Sequence, residues 1–281
     1  MELRLFAPVP FRRLTPYSRI GVRTARRGTR KRAPQSKACE ENGDMRAYLY
    51  FLTIGLGLVW AQERAEIFRI RPVRPVAELR VEALAAQPPQ ETGEFWKSDL
   101  VELAKLDPRI KLDIRYATSD NFLSTPVYTS ARAFLQRPAA EALLTAHRKL
   151  MQKGYGLVIF DGYRPWYVTK IFWDATPADK HEFVANPAEG SRHNRGCAVD
   201  LTLYDLKTGR EIEMTGVYDE MSPRSYPNYT SGTPQQREHR DLLRSAMEKQ
   251  GFKVFESEWW HFDYRDWRHY AIQNVPFEEI R

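Results

Sequence analysis

Residues 191–203 read SRHNRGCAVDLTL, and residues 256–261 read ESEWWH. The first stretch has a polar head and an alternating tail in which Val199, Leu201 and Leu203 share one face. That pattern is a strand entered from a loop. His193 and Asp200 are seven positions apart, so an unbroken strand would point them to opposite faces. Gly196 interrupts the segment, letting His193 approach from the loop while Asp200 projects from the strand. A carboxylate inside the apolar run AVDLTL needs a strong partner, and a metal ion is one. His261 offers a further ligand from a last strand, where it is expected to face away from Trp260 and Phe262. Two histidines and one carboxylate leave one tetrahedral position of a zinc ion open, as in catalytic sites. Glu258, placed just before that strand, is the candidate proton acceptor.

Outward from this stretch, the chain mixes the two periods. Strands are expected at 111–116 (KLDIRY), 156–160 (GLVIF), 197–204, 253–255 and 259–264. Helical spacing covers 139–153, ended by Gly154, then 166–173 after Pro165, and 237–249, ended by Gly251. Without a regular strand–helix–strand repeat, this is an α+β domain with a mainly antiparallel central sheet flanked by helices. It occupies residues 98–281.

The net charge of +7 is misleading. Residues 1–44 hold eleven of the 43 Lys/Arg and four of the 36 Asp/Glu, so the remaining chain has 32 of each sign. No basic face is required of the folded part, and nucleic-acid binding is set aside. Residues 47–61, AYLYFLTIGLGLVWA, follow Arg46 and end in Val59 and Ala61. They are short for a membrane span, and 45–61 reads as a signal peptide, with a mature start at Gln62. Met45 opens it, so residues 1–44 read as a basic, disordered or mis-assigned leader. A periplasmic or secreted protein follows, with a cytoplasmic one as the alternative. Residues 62–97 are a linker or peripheral segment with a short helix near 76–86. Cys39 and Cys197 form no framework. Cys197 is a small apolar residue beside the site, with ligand or nucleophile as the sharper alternative.

Five ordered blocks carry a resemblance. They are YATSDNF (116–122), GYGLVIFDGYRP (154–165), SRHNRGCAVDLTLYDLKTG (191–209), YDEM (218–221) and ESEWWH. Together they resemble the VanX-type zinc D-alanyl-D-alanine dipeptidases. The resemblance implies one Zn²⁺ per subunit on His193, Asp200 and His261. It implies Glu258 as the general base and Arg164 as the group that stabilises the charged intermediate. A guanidinium there offers fixed donors to a developing oxyanion. Ser191, Asp219 and Tyr116 match positions that hold the dipeptide's amino end in a small cavity, and Asp161 would orient Arg164. The implied partner is a small dipeptide, with no stable membrane insertion after cleavage of the signal. The alternatives are a D,D-carboxypeptidase or endopeptidase acting on peptidoglycan stem peptides, and a zinc-stabilised scaffold without turnover.

Overall fold

The computed structural model describes residues 67–280. The leader, the segment read as a signal peptide and Cys39 lie outside the described residues. The strands are β1 (Leu100–Glu102), β2 (Lys111–Leu112), β3 (Phe134–Gln136), β4 (Tyr155–Asp161), β5 (Ala198–Asp205), β6 (Phe252–Phe255) and β7 (Glu258–Tyr264). The helices are α1 (Val76–Ala85), α2 (Leu103–Leu106), α3 (Arg137–Met151), α4 (Trp166–Ala175) and α5 (Pro234–Glu248).

The alternating tail of the opening stretch is β5, the middle strand of a sheet ordered β2-β4-β5-β7-β6. Only β2 and β4 run parallel; every other neighbour in this sheet is antiparallel. A separate ribbon pairs β1 with β3. The α+β class and the mainly antiparallel sheet are as the sequence leads one to expect. Val199, Leu201 and Leu203 are fully buried and alternate with Asp200 along β5. α3 buries Ala140, Leu143, Leu144, His147 and Leu150, the stripe read from their spacing. It packs on β4 and on α5, which in turn covers β5, β6 and β7. α5 starts earlier than its apolar stripe suggests. Thr233 and Gln236 form a reciprocal capping box, with Pro234 in the first turn.

Two segments depart from their alternating pattern. KLDIRY is strand only over Lys111–Leu112, although Asp113 N–H still donates to the Ile159 carbonyl at 2.9 Å. The chain then curls into a 3₁₀ turn, Arg115–Ala117, because the Tyr116 carbonyl takes the N–H groups of Val127 and Tyr128. In β7, His261 does not simply face away from Trp260. The β6–β7 register slips between Val254 and Phe255, and Phe255 pairs with Glu258. The extra residues on β7 bend it, so Trp260, His261 and Glu258 all border one cavity. Glu258 is thus the first residue of the strand.

The described part of 62–97 is a strap along the domain. Leu79 and Ala83 of α1 are fully buried, and α1 packs against α4. Ile70 N–H donates to Phe122 and Val73 N–H to Ala175. Glu91 accepts from both Arg195 and the backbone of Ile272.

Gly196 ends the 3₁₀ turn His193–Arg195 with φ at +68°. An added Cβ would lie 2.5 Å from Leu100 Cδ2. Gly196→Ala is expected to cost at least ~1–2 kcal/mol, the left-handed penalty alone. A lowered urea midpoint with unchanged slope would register it.

Candidate active site

The site is built across the central strands. Asp200 of β5 pairs in register with Asp161 of β4 on one side and with His261 of β7 on the other. His193 arrives from the loop before β5, as the Gly196 break requires. Asn194 fixes that loop: its side chain accepts from Ser191 N–H and donates to the Arg164 carbonyl and to Thr169 Oγ1.

Three acceptor atoms converge here. His193 Nε2 lies 3.1 Å from His261 Nδ1, and Asp200 Oδ1 lies 3.4 Å and 3.1 Å from these two. The far nitrogens settle the tautomers. His193 Nδ1 donates to the Gly162 carbonyl at 2.7 Å, and His261 Nε2 donates to Asp263 Oδ1 at 2.8 Å. In the neutral rings both near nitrogens therefore present lone pairs. Asp200 Oδ1 is buried with no hydrogen-bond partner, while Tyr218 holds Oδ2 at 3.1 Å. Facing lone pairs in a buried site repel unless a cation sits among them. Burial works against ionised Asp200, but the His193 and His261 rings outweigh it and hold the carboxyl well below its usual range. A proton can take the cation's place: burial works against a charged His261, yet Asp263 and Asp200 raise it well above the usual histidine range. The cluster thus draws positive charge, and its donor set fits a divalent metal ion.

Glu258 Oε2 lies 3.6 Å from His261 Nδ1, beside the group rather than within it. Burial pushes its carboxyl up to about 7. Such a poise suits a proton carrier near neutral pH. Arg164 follows β4 in a loop closed by Gly162, where an added Cβ would meet the Phe134 carbonyl oxygen at 2.6 Å. Its Nε donates to Asp161 Oδ2 at 2.9 Å, and Nη2 lies 2.7 Å from the same oxygen and 3.8 Å from Asp200 Oδ2. The guanidinium stacks on Phe172, 4.7 Å from the ring centre.

Asp219 and Tyr116 meet: the tyrosine hydroxyl donates to Asp219 Oδ1 at 2.8 Å. Asp219 Oδ2 is buried with no partner, and burial raises this carboxyl well above its usual range. Its backbone is left-handed, φ 63°, a conformation that aspartate tolerates better than most non-glycine residues. Ser191, Asp219, Tyr116, Arg164 and Glu258 line one cavity of about 120 Å³ with the His193–Asp200–His261 group. Asp161 does not line it. It stands behind Arg164 and also accepts from Tyr128 and Gly162 N–H. Cys197 is fully buried, and burial raises its thiol.

Sequence reasoning missed Asp263, Tyr218, Tyr128 and Asn194. Asp263 was findable: it lies two positions past His261 on one strand, so the two share a face. Tyr218 and Tyr128 come from irregular loops, whose partners no periodicity reveals.

A buried His–Asp–His group, flanked by an unligated acid and an arginine, defines a metal-dependent hydrolase. The comparisons make the class specific. The chain belongs to the family Peptidase M15, D-ala-D-ala dipeptidase, whose profile matches residues 97–279. A D-alanyl-D-alanine dipeptidase of Escherichia coli K12 is 36% identical over 166 residues, 59% of this chain and 84% of that protein. One from Enterococcus faecium is 37% identical over 56% of this chain and 87% of its own. A third, from Streptomyces coelicolor, is 34% identical over 63% and 95% respectively. The solved LdcB LD-carboxypeptidase is 20% identical, with a TM-score of 0.35 over 62% of this chain and 71% of its own. This chain is thus a metallopeptidase of that family. Among the described residues, no helix is long and apolar enough to cross a membrane.

Because Asp263 orients His261, Asp263→Ala is expected to weaken metal affinity by about 10–100-fold. Competition with a chelator of known affinity would read this out without any activity assay.

Proposed function

We propose that the chain hydrolyses the dipeptide D-alanyl-D-alanine to two D-alanines, using one zinc ion held by His193, Asp200 and His261. The observation that carries this reading is a pair of orphan oxygens. Asp200 Oδ1 and Asp219 Oδ2 are both buried without partners, and both residues border one small cavity. Each needs a cation, and the two differ in kind. Asp200 faces two imidazole lone pairs, which suits a metal. Asp219 stands beside a tyrosine, which suits an ammonium. The names of the three relatives agree with the substrate.

Zinc is favoured by the donors and by their spacing. Atoms about 2.0–2.1 Å from a tetrahedral zinc lie roughly 3.3 Å apart, close to the separations of 3.1, 3.1 and 3.4 Å here. When bound, the ion would supply Lewis acidity at the scissile carbonyl and ease deprotonation of the attacking water. Glu258 takes that proton and passes it to the leaving amine. Its poise near 7 serves both transfers. Arg164, braced by Asp161, offers N–H groups to the oxygen that gains charge. Asp219 and Tyr116 hold the free amino end, and Ser191 borders the same space. The small volume of the cavity, with Asp219 on its wall, favours a dipeptide over the longer stem peptide of the carboxypeptidase alternative. The segment read at 45–61 as a signal peptide supports a role in turnover of wall-derived dipeptide outside the membrane.

The test uses zinc-loaded enzyme with D-Ala-D-Ala and its N-acetylated form. Glu258→Gln is expected to lower kcat by about 10²–10⁴-fold. Asp219→Asn is expected to raise KM for the free dipeptide. The acetylated form should resist the wild-type enzyme. Equal cleavage of the two forms would sink the dipeptidase reading.

A further inference from the structure

The proposed chemistry uses Asp219 for the positive end of the substrate and leaves its negative end without a partner. Three further charged side chains on the cavity wall have no role in that scheme, Glu182, Glu220 and Arg192, and of these only Arg192 is a cation. It immediately precedes His193 and opens the 3₁₀ turn that carries that ligand. Its guanidinium is held by aromatic rings, 4.9 Å from the centre of Trp267 and 5.9 Å from that of Phe255. Stacking fixes the plane of an arginine without using its N–H groups.

Those groups are poorly committed. Nε is buried and has no hydrogen-bond partner. The nearest carboxylate oxygen is Asp263 Oδ2, at 3.6 Å, beyond hydrogen-bond range. Asp263 Oδ1 is meanwhile occupied by His261. Arg164 is the contrasting case, tied to Asp161 through two nitrogens. Arg192 is thus the cavity arginine with N–H donors to spare, and its side chain is 38% exposed toward solvent.

Position supports the same conclusion. Asp219 is reached through Tyr116, on the side where Arg164 stacks. Arg192 is reached through Asp263 and Phe255, both of which touch His261. Along these contacts the proposed metal group is the link between the two neighbourhoods, from Arg164 to Asp200, to His261, to Asp263 and on to Arg192. A dipeptide lying across it would have its ammonium at one charge and its carboxylate at the other.

We propose that Arg192 recognises the free C-terminal carboxylate of the substrate and so selects dipeptides with an unblocked acid end. This rests on the reading of the site as a dipeptidase. A planar guanidinium matches a carboxylate through paired N–H groups.

The test compares wild type, Arg192→Ala and Arg192→Lys, as zinc-loaded full chains, on D-Ala-D-Ala and on its C-terminal carboxamide. In Arg192→Ala, KM for the free acid should rise about 10–100-fold, the range for losing hydrogen bonds to a charged group, with little change in kcat. The carboxamide should be a poor substrate of wild type and should lose nothing more in the variant. Arg192→Lys should recover part of the loss. Metal content, read by atomic emission, should match wild type throughout. Equal losses on acid and carboxamide, or loss of zinc, would overturn the proposal and make Arg192 a support for Asp263. If wild type cleaved neither compound, calorimetric binding would separate the two ideas. Tighter binding of the acid than the carboxamide, abolished in Arg192→Ala, would keep the role of Arg192 while the hydrolytic reading fell. Equal binding would remove both.

Discussion

Three acceptor atoms that face one another, and that only a cation can reconcile, are the constraint on which this site depends. His193 and His261 have their donor nitrogens turned outward, to Gly162 and Asp263. The price of that arrangement is a buried cluster of lone pairs, completed by Asp200 Oδ1. The sheet makes the cluster affordable in structural terms, because Asp161, Asp200 and His261 stand in register on three adjacent strands. The backbone ladder fixes their spacing before any side chain interacts. The remaining ligand needs a loop, and Gly196 is what allows the chain to turn into β5 after presenting it.

The same dependence explains where the sequence could be read and where it could not. The convergence of His193, Asp200 and His261 was legible because local rules are broken around it, whereas Arg164 was picked out by the family resemblance. Asp200 interrupts an apolar strand, and Gly196 breaks the segment that would otherwise misplace His193. Asp263 obeyed the rules and was overlooked: an acid on a half-exposed strand looks like any solvated residue until its partner is known. Tyr218 and Tyr128 were illegible for a different reason. They reach Asp200 and Asp161 from loops, across 18 and 33 residues, where no period constrains the pairing.

Where fold expectations missed, tertiary hydrogen bonding overrode the pattern. KLDIRY alternates to its end, but its sheet partner is left behind at Ile159 and loop N–H groups capture the Tyr116 carbonyl. That override is also what carries Tyr116 to Asp219. In β7 the slip after Val254 does comparable work. Residues three apart on a regular strand face opposite ways, yet Glu258 and His261 come within 3.6 Å. A regular hairpin would have kept the alternation expected for Trp260 and His261, and would have separated the acid from the ligand it serves.

The charges in the cavity are arranged to be incomplete in a specific way. Asp161 and Arg164 neutralise each other behind the wall, and Asp263 is shared by His261 and, loosely, Arg192. What remains uncompensated is the orphan oxygen of Asp200, the orphan oxygen of Asp219 and the unused donors of Arg192. Burial makes the two oxygens and Arg192 Nε costly when left alone, while the rest of that guanidinium is partly exposed. A zwitterion with its ends on either side of a polarised carbonyl removes all of these costs at once, whereas a neutral peptide or a longer chain removes fewer. On the proposed assignments, selectivity for a free dipeptide therefore needs no dedicated rejecting element. It follows from how many of these charges a given ligand leaves unpaired.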